Sequence, residues 1–144
     1  MNNDARVAAF SLNGWDTHKG QKNAINRAGT QLSEVIGGLH DNLGPEIWGK
    51  TVVLAMTEFG RTARLNGSAG TDHGTGSAMV MAGGALRGGQ VWADWPGLGE
   101  ADLYAKRDLM PTRDVRAHAA WTLRSLFGIE QSVLETKVFP GLDM

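Results

Sequence analysis

The chain contains no cysteine. Disulfides and thiolate metal sites are therefore excluded, and any metal has to sit on nitrogen and oxygen ligands. An apolar stretch of membrane-spanning length is also missing, so no membrane span is expected. The opening "MNNDARVAAF" lacks the basic-then-apolar order of a signal peptide. Neither sign of charge dominates: fourteen Lys and Arg against fifteen Asp and Glu leave a formal charge of −1, with no long run of either. Such a balance gives nucleic acid no electrostatic footing. No internal repeat, linker or low-complexity tail interrupts the 144 residues, which suit one domain with its own core.

Glycine, in contrast, is abundant. Its twenty residues gather in "NGSAGTDHGTGS" and "MAGGALRGGQ", which mark the irregular loops. Between loops the apolar pattern alternates between two periods. "ARVAAFSL", followed by Asn13 and Gly14, reads as a short buried strand. From Gln21 to Leu43, the positions Ile25, Ala28, Leu32, Val35, Ile36 and Leu39 recur every three or four residues, the face of an amphipathic helix that Gly44 and Pro45 stop. "TVVLAMT" is apolar on both faces, as a central strand covered by helices would be. "SAMVMAGG" is a third strand candidate and "GQVWADW" a weaker fourth, while "TRDVRAHAAWTLRSLFG" reads as a second helix closed by Gly128. Strand, helix, strand predicts an α/β fold with a mixed, mostly parallel sheet flanked by helices.

That topology carries a functional expectation. In a parallel crossover, "GWDTH" after the first strand and "EFGR" after the second emerge at one edge of the sheet, where open α/β sheets bind ligands. The connection from Phe59 to Ser77 has no helical pattern, so the third strand should return antiparallel and bring "GTDHG" to the same edge. Asp16 and His18 share a face by their spacing of two. Asp16, His18, Asp72 and His73 thus become candidate metal ligands, with Glu58 and Arg61 beside them as candidate catalytic groups. Carboxylate with imidazole suits zinc, manganese or iron. Ligand tips sharing one ion should lie roughly 3–6 Å apart.

Each piece also has an ordinary explanation. Asp16 can cap its turn, Asp72 between Gly70 and Gly74 can shape a bend, and Glu58 can pair with Arg61 or Arg64. His40 near a helix end and His118 within the second helix pattern are assigned no function. Five tryptophans without regular spacing suit core and rim, and "GTGSAMVMAGG" fails the spacing of a dinucleotide-binding turn.

At "AAFSLNGWDTHKGQ", "TVVLAMTEFGRTARLNGSAGTDHGTGSAMVMAGGALRGG" and "VFPGL", the chain resembles the C-terminal part of a family of uncharacterised bacterial proteins. They are usually labelled twin-arginine translocation pathway signal proteins or sulfatase-like proteins of unknown function. The family in turn looks like a distant branch of the alkaline phosphatase and sulfatase superfamily, which holds two metal ions on aspartates and histidines at strand ends. Asp16 with His18 resembles the first of its C-terminal motifs at shorter spacing. Glu58, Phe59 and Gly60 stand where the superfamily has Asp-His-Gly, a phenyl ring replacing the imidazole, and His73 resembles its last histidine.

The resemblance implies an alkaline-phosphatase-like core of which residues 1–144 are the C-terminal portion, a zinc or manganese site, and an exported, periplasmic hydrolase. Its substrate would be a small or polymeric phosphate or sulfate ester, with Arg61 stabilising charge on the transferred group. A noncatalytic scaffold with a degenerate site is the alternative implied by Phe59. No residue matches the superfamily's nucleophile motif, so the chain alone should show no turnover. With two helices to cover both faces of a sheet, it should also self-associate through uncovered surface.

Overall fold

A computed structural model describes residues 6–144. Helix α1 runs from Gln21 to Trp48, entered from Gly20 in the left-handed conformation. The expected stop at Gly44 and Pro45 takes the form of a kink. Gly44 leaves the helical region at φ 71° and ψ 163°, and the helix then resumes for one more turn. Pro45 opens that turn, where its missing N–H costs nothing because no preceding carbonyl is in register to accept it. Of the apolar face, Ala28 is buried and Ile25 is exposed.

Two short antiparallel pairs make up the sheet structure among the described residues. Strand β1 (Val53–Ala55) pairs with β4 (Val80–Ala82), Leu54 facing Met81. Strand β2 (Gly60–Arg61) pairs with β3 (His73–Gly74), Arg61 facing His73. The segment around Asp108 then lies along the second pair. Leu109 N–H donates to the Arg61 carbonyl at 3.2 Å and Gly76 N–H to the Leu109 carbonyl at 3.0 Å. A single 3-10 turn, Glu100–Asp102, precedes it.

Helix α2 spans Val115–Phe127. Asp114 caps it by accepting the Arg116 N–H, and Gly128, at φ 66°, closes it in the left-handed conformation that a side chain would resist. A short turn, α3 (Gln131–Val133), widens into a π turn over Leu134–Val138. Here the chain has its apolar core. Ala120, Leu134 and Leu142 are buried together, with Leu123, Ile129 and Phe139 packed against them.

The architecture corrects the expected one. No large parallel sheet forms among the described residues, so this is not an alkaline-phosphatase-like core. "ARVAAFSL" begins at Ala5, outside the described residues, and its remainder, 6–12, forms no strand; Val7 is 72 % and Phe10 62 % exposed. "GQVWADW" forms none either. The physical reason lies in pairing. β1 is hydrogen-bonded on one edge by the returning β4, and without the N-terminal run on its other edge the parallel crossover has no second strand. The return of β4 is antiparallel, as the helix-free connection requires.

Burial is correspondingly sparse. The accessible surface is 10451 Å², against about 7,200 Å² for a globular monomer of this mass. Val80, Met81, Val91 and Trp92 are among the large apolar side chains left in contact with solvent.

Candidate metal centre

Two loops meet beside the β2–β3 pair, the segment before α1 and the connection from β2 to β3, and backbone contacts hold them there. Thr71 N–H donates to the Thr17 carbonyl at 3.2 Å, Gly20 N–H to Ser68 at 3.0 Å and Gln21 N–H to Ala69 at 2.9 Å. Gly70 permits the approach: a Cβ on it would lie 2.1 Å from the His18 carbonyl carbon, so no other residue fits.

Asn66 organises the loop from within. Its Oδ1 accepts the Ser68 and Gly70 N–H groups, while its Nδ2 donates to the His18 carbonyl at 3.0 Å and to Asp72 Oδ1 at 2.9 Å. All four hydrogen-bonding capacities of one short amide are thereby used, the kind of local closure that favours asparagine in turns.

On this frame Asp16, His18 and His73 converge, one ligand atom from each lying within 4.8 Å of the others. Asp16 Oδ1 is the focus. It stands 3.0 Å from His18 Nε2, 2.9 Å from His73 Nε2 and 2.8 Å from an Arg61 terminal nitrogen. The other ring nitrogen of His18, Nδ1, faces Asp72 Oδ1 at 3.2 Å. The two imidazoles lie 4.8 Å apart between centroids, and the Phe59 ring stacks on His73 at 3.9 Å.

The electrostatics follow from these contacts. Hydrogen bonding to His73, reinforced by Arg61 and the nearby imidazoles, holds the Asp16 carboxyl below its usual range against a partial desolvation that opposes it. Asn66, then His18, do the same for Asp72. Both carboxylates are therefore ionised and ready to bind a cation near neutral pH.

Among the residues singled out from sequence, Asp16, His18 and His73 supply the converging atoms. Asp72 stands one step back, on the far nitrogen of His18. Arg61 is mostly buried and donates to the carbonyls of Trp15 and Thr71 as well as to Asp16, so its terminal nitrogens are engaged within the site. Glu58 is exposed and enters no hydrogen bond or ion pair among the described residues. Arg61 pairs with Asp16 and not with Glu58. His40 lies on α1, bonded to its neighbour Asp41.

Two residues that matter to this geometry were not singled out. Asn66 had a signal in its Asn-Gly dipeptide, a common turn pair. Gln21, whose Oε1 accepts the hydroxyls of Thr17 at 3.1 Å and Thr71 at 2.6 Å, had none.

An aspartate and two histidines with their ligand atoms this close, in a half-exposed setting, form a candidate three-residue site for a metal ion. No curated protein and no solved structure matches the chain. The uncharacterised character read from "GWDTH", "TEFGRT" and "TDHG" does have a counterpart: a family model matches residues 1–138, and the chain belongs to the family described as Protein of unknown function (DUF1501).

Proposed function

We propose that Asp16, His18 and His73 hold a divalent cation, zinc or manganese, and that they contribute this site to a metal-dependent hydrolase of phosphate or sulfate esters. One observation carries the metal. His18 has a carboxylate oxygen at each ring nitrogen, Asp72 at Nδ1 and Asp16 at Nε2. A neutral imidazole has only one N–H, so it can satisfy one of these oxygens and turns a lone pair toward the other. A second proton on the ring would resolve that conflict for His18 alone, whereas a cation between Nε2 and Asp16 also serves His73, whose Nε2 faces the same oxygen at 2.9 Å. The carboxylate on the far nitrogen is the partner that metal-bound histidines commonly have.

In this reading Asp72 fixes the tautomer and ring plane of His18, and Asn66 fixes Asp72. Arg61 positions Asp16 and favours its ionised form. Phe59 covers one face of His73 and limits how far that ring turns. A cation in such a site supplies Lewis-acid polarisation of an ester oxygen. The ester class and an exported location rest on the sequence resemblance alone.

A specific observation favours a second reading, a noncatalytic scaffold. Arg61 already sits on the carboxylate oxygen to which both imidazoles turn, so the cluster can serve as a hydrogen-bonded latch without a metal. Metal analysis of the purified protein separates the two, with zinc and manganese titrated against a competing chelator. About one equivalent of tightly held ion is expected. His73→Ala should weaken it by at least about ten- to a hundredfold, and His40→Ala should leave it unchanged. A protein that retains no ion and shows no difference between these variants is a scaffold. Where the ion binds, aryl phosphate and aryl sulfate are tested as ligands, because no residue of the chain matches the nucleophile motif; binding of either to the metal-loaded protein and not to Asp16→Ala supports the ester assignment, and binding of neither overturns it.

A further inference from the structure

The first residue of α1 links the two loops that carry the cluster. We infer that Gln21 is a positioning residue, a clamp that sets the separation of His18 from His73; this rests on the metal reading above only for its effect on affinity. Its Oε1 accepts the Thr17 hydroxyl at 3.1 Å and the Thr71 hydroxyl at 2.6 Å. Thr17 lies between Asp16 and His18 in the chain, and Thr71 directly precedes Asp72 and His73. Both threonines are buried, at 3 % and 5 % exposure, so neither hydroxyl has water as a ready substitute partner.

One carbonyl oxygen with two lone pairs can accept both hydroxyls at once. The arrangement fixes more than the backbone bond from Thr71 to Thr17, since that single bond permits the loops to twist about it. Gln21 is itself anchored. Its N–H donates to the Ala69 carbonyl, and it belongs to a helix whose length resists displacement of its first residue. The position of α1 is thereby transmitted to the ligands. Without the acceptor, two buried hydroxyls lose their partner together and the loops separate to reach water.

The test compares Gln21→Leu, which removes the acceptor at similar volume, with Gln21→Glu, which keeps an acceptor oxygen. Two readouts are taken. In the metal-free protein, nuclear Overhauser contacts between the His18 and His73 rings report their proximity, set by a centroid separation of 4.8 Å. In the metal-loaded protein, chelator competition reports zinc affinity.

Q21L should lose the ring contacts and bind zinc at least about tenfold more weakly, and Q21E should restore the contacts and most of the affinity. Ring contacts in Q21L as strong as in the parent chain, or an equal loss in Q21E, overturn the clamp. If Q21L loses its helical circular dichroism altogether, Thr71→Val removes one donor from the other side and should weaken the same contacts; unchanged contacts there overturn the inference too. Failure of the metal reading leaves a different signature, a parent chain with the ring contacts but without zinc affinity.

Discussion

Around Leu134, Ala120 and Leu142 the chain closes on apolar side chains, whereas around Asp16 and His73 it closes on hydrogen bonds and on glycine contacts. The first region gains from removing carbon from water, which depends on volume and tolerates similar shapes. The second gains little from burial, because its principal groups are half exposed. It depends on donor and acceptor geometry, which tolerates little displacement. Stability and site geometry are thus assigned to different residues.

The strongest way to break that separation is Leu134→Ala. Leu134 is fully buried, so the loss should be about 2–5 kcal/mol in urea or thermal unfolding. Zinc affinity below the transition should stay as in the parent chain. A parallel fall in affinity would join the two regions into one cooperative unit.

Gly70→Ala tests the other side. The added Cβ meets the His18 backbone, which cannot yield as a side chain end would. Overpacking of about 1–3 kcal/mol is expected, and here metal affinity and the His18–His73 ring contacts should fall with it. Stability loss with an intact site would show that the close approach at Gly70 serves folding alone.

The smallest effect sharpens the comparison through pH. The Arg116 side chain, then its backbone N–H, hold the Asp114 carboxyl below its ordinary value of 3.8. A depressed folded pKa contributes stability that is present above the unfolded value and is lost as pH falls through the folded one. Asp114→Ala should therefore cost about 1 kcal/mol at neutral pH, with no change in metal affinity. The difference between the two chains should fade below pH 3.8. Unfolding curves across the acid range check it, and a difference that persists there would assign the effect to something other than the ionised cap.

Much of the helical structure was legible because its signals are local. Apolar spacing gave the course of α1, and Gly128 marks the end of α2. Strands were less legible. "ARVAAFSL" and "TVVLAMT" look alike as runs, yet among the described residues only those of the second find a partner, and pairing is a property of two segments. The site was legible in part. Asp16, His18 and His73 were brought together through a supposed parallel edge, while the structure joins them through β2, β3 and the clasped loops. The antiparallel return from Phe59 to Ser77 is common to both routes.

Composition by itself determined that any metal here rests on nitrogen and oxygen, and residue spacing determined the two long helices, α1 and α2, because a helix is specified over a few turns of chain. Only the tertiary structure decided that Asp72 faces the far nitrogen of His18, that Arg61 is engaged with Asp16 and two carbonyls, and that Gln21 reaches both threonines. Those contacts join residues up to 54 positions apart. Their formation depends on where glycine lets one backbone approach another, a condition that no local pattern encodes.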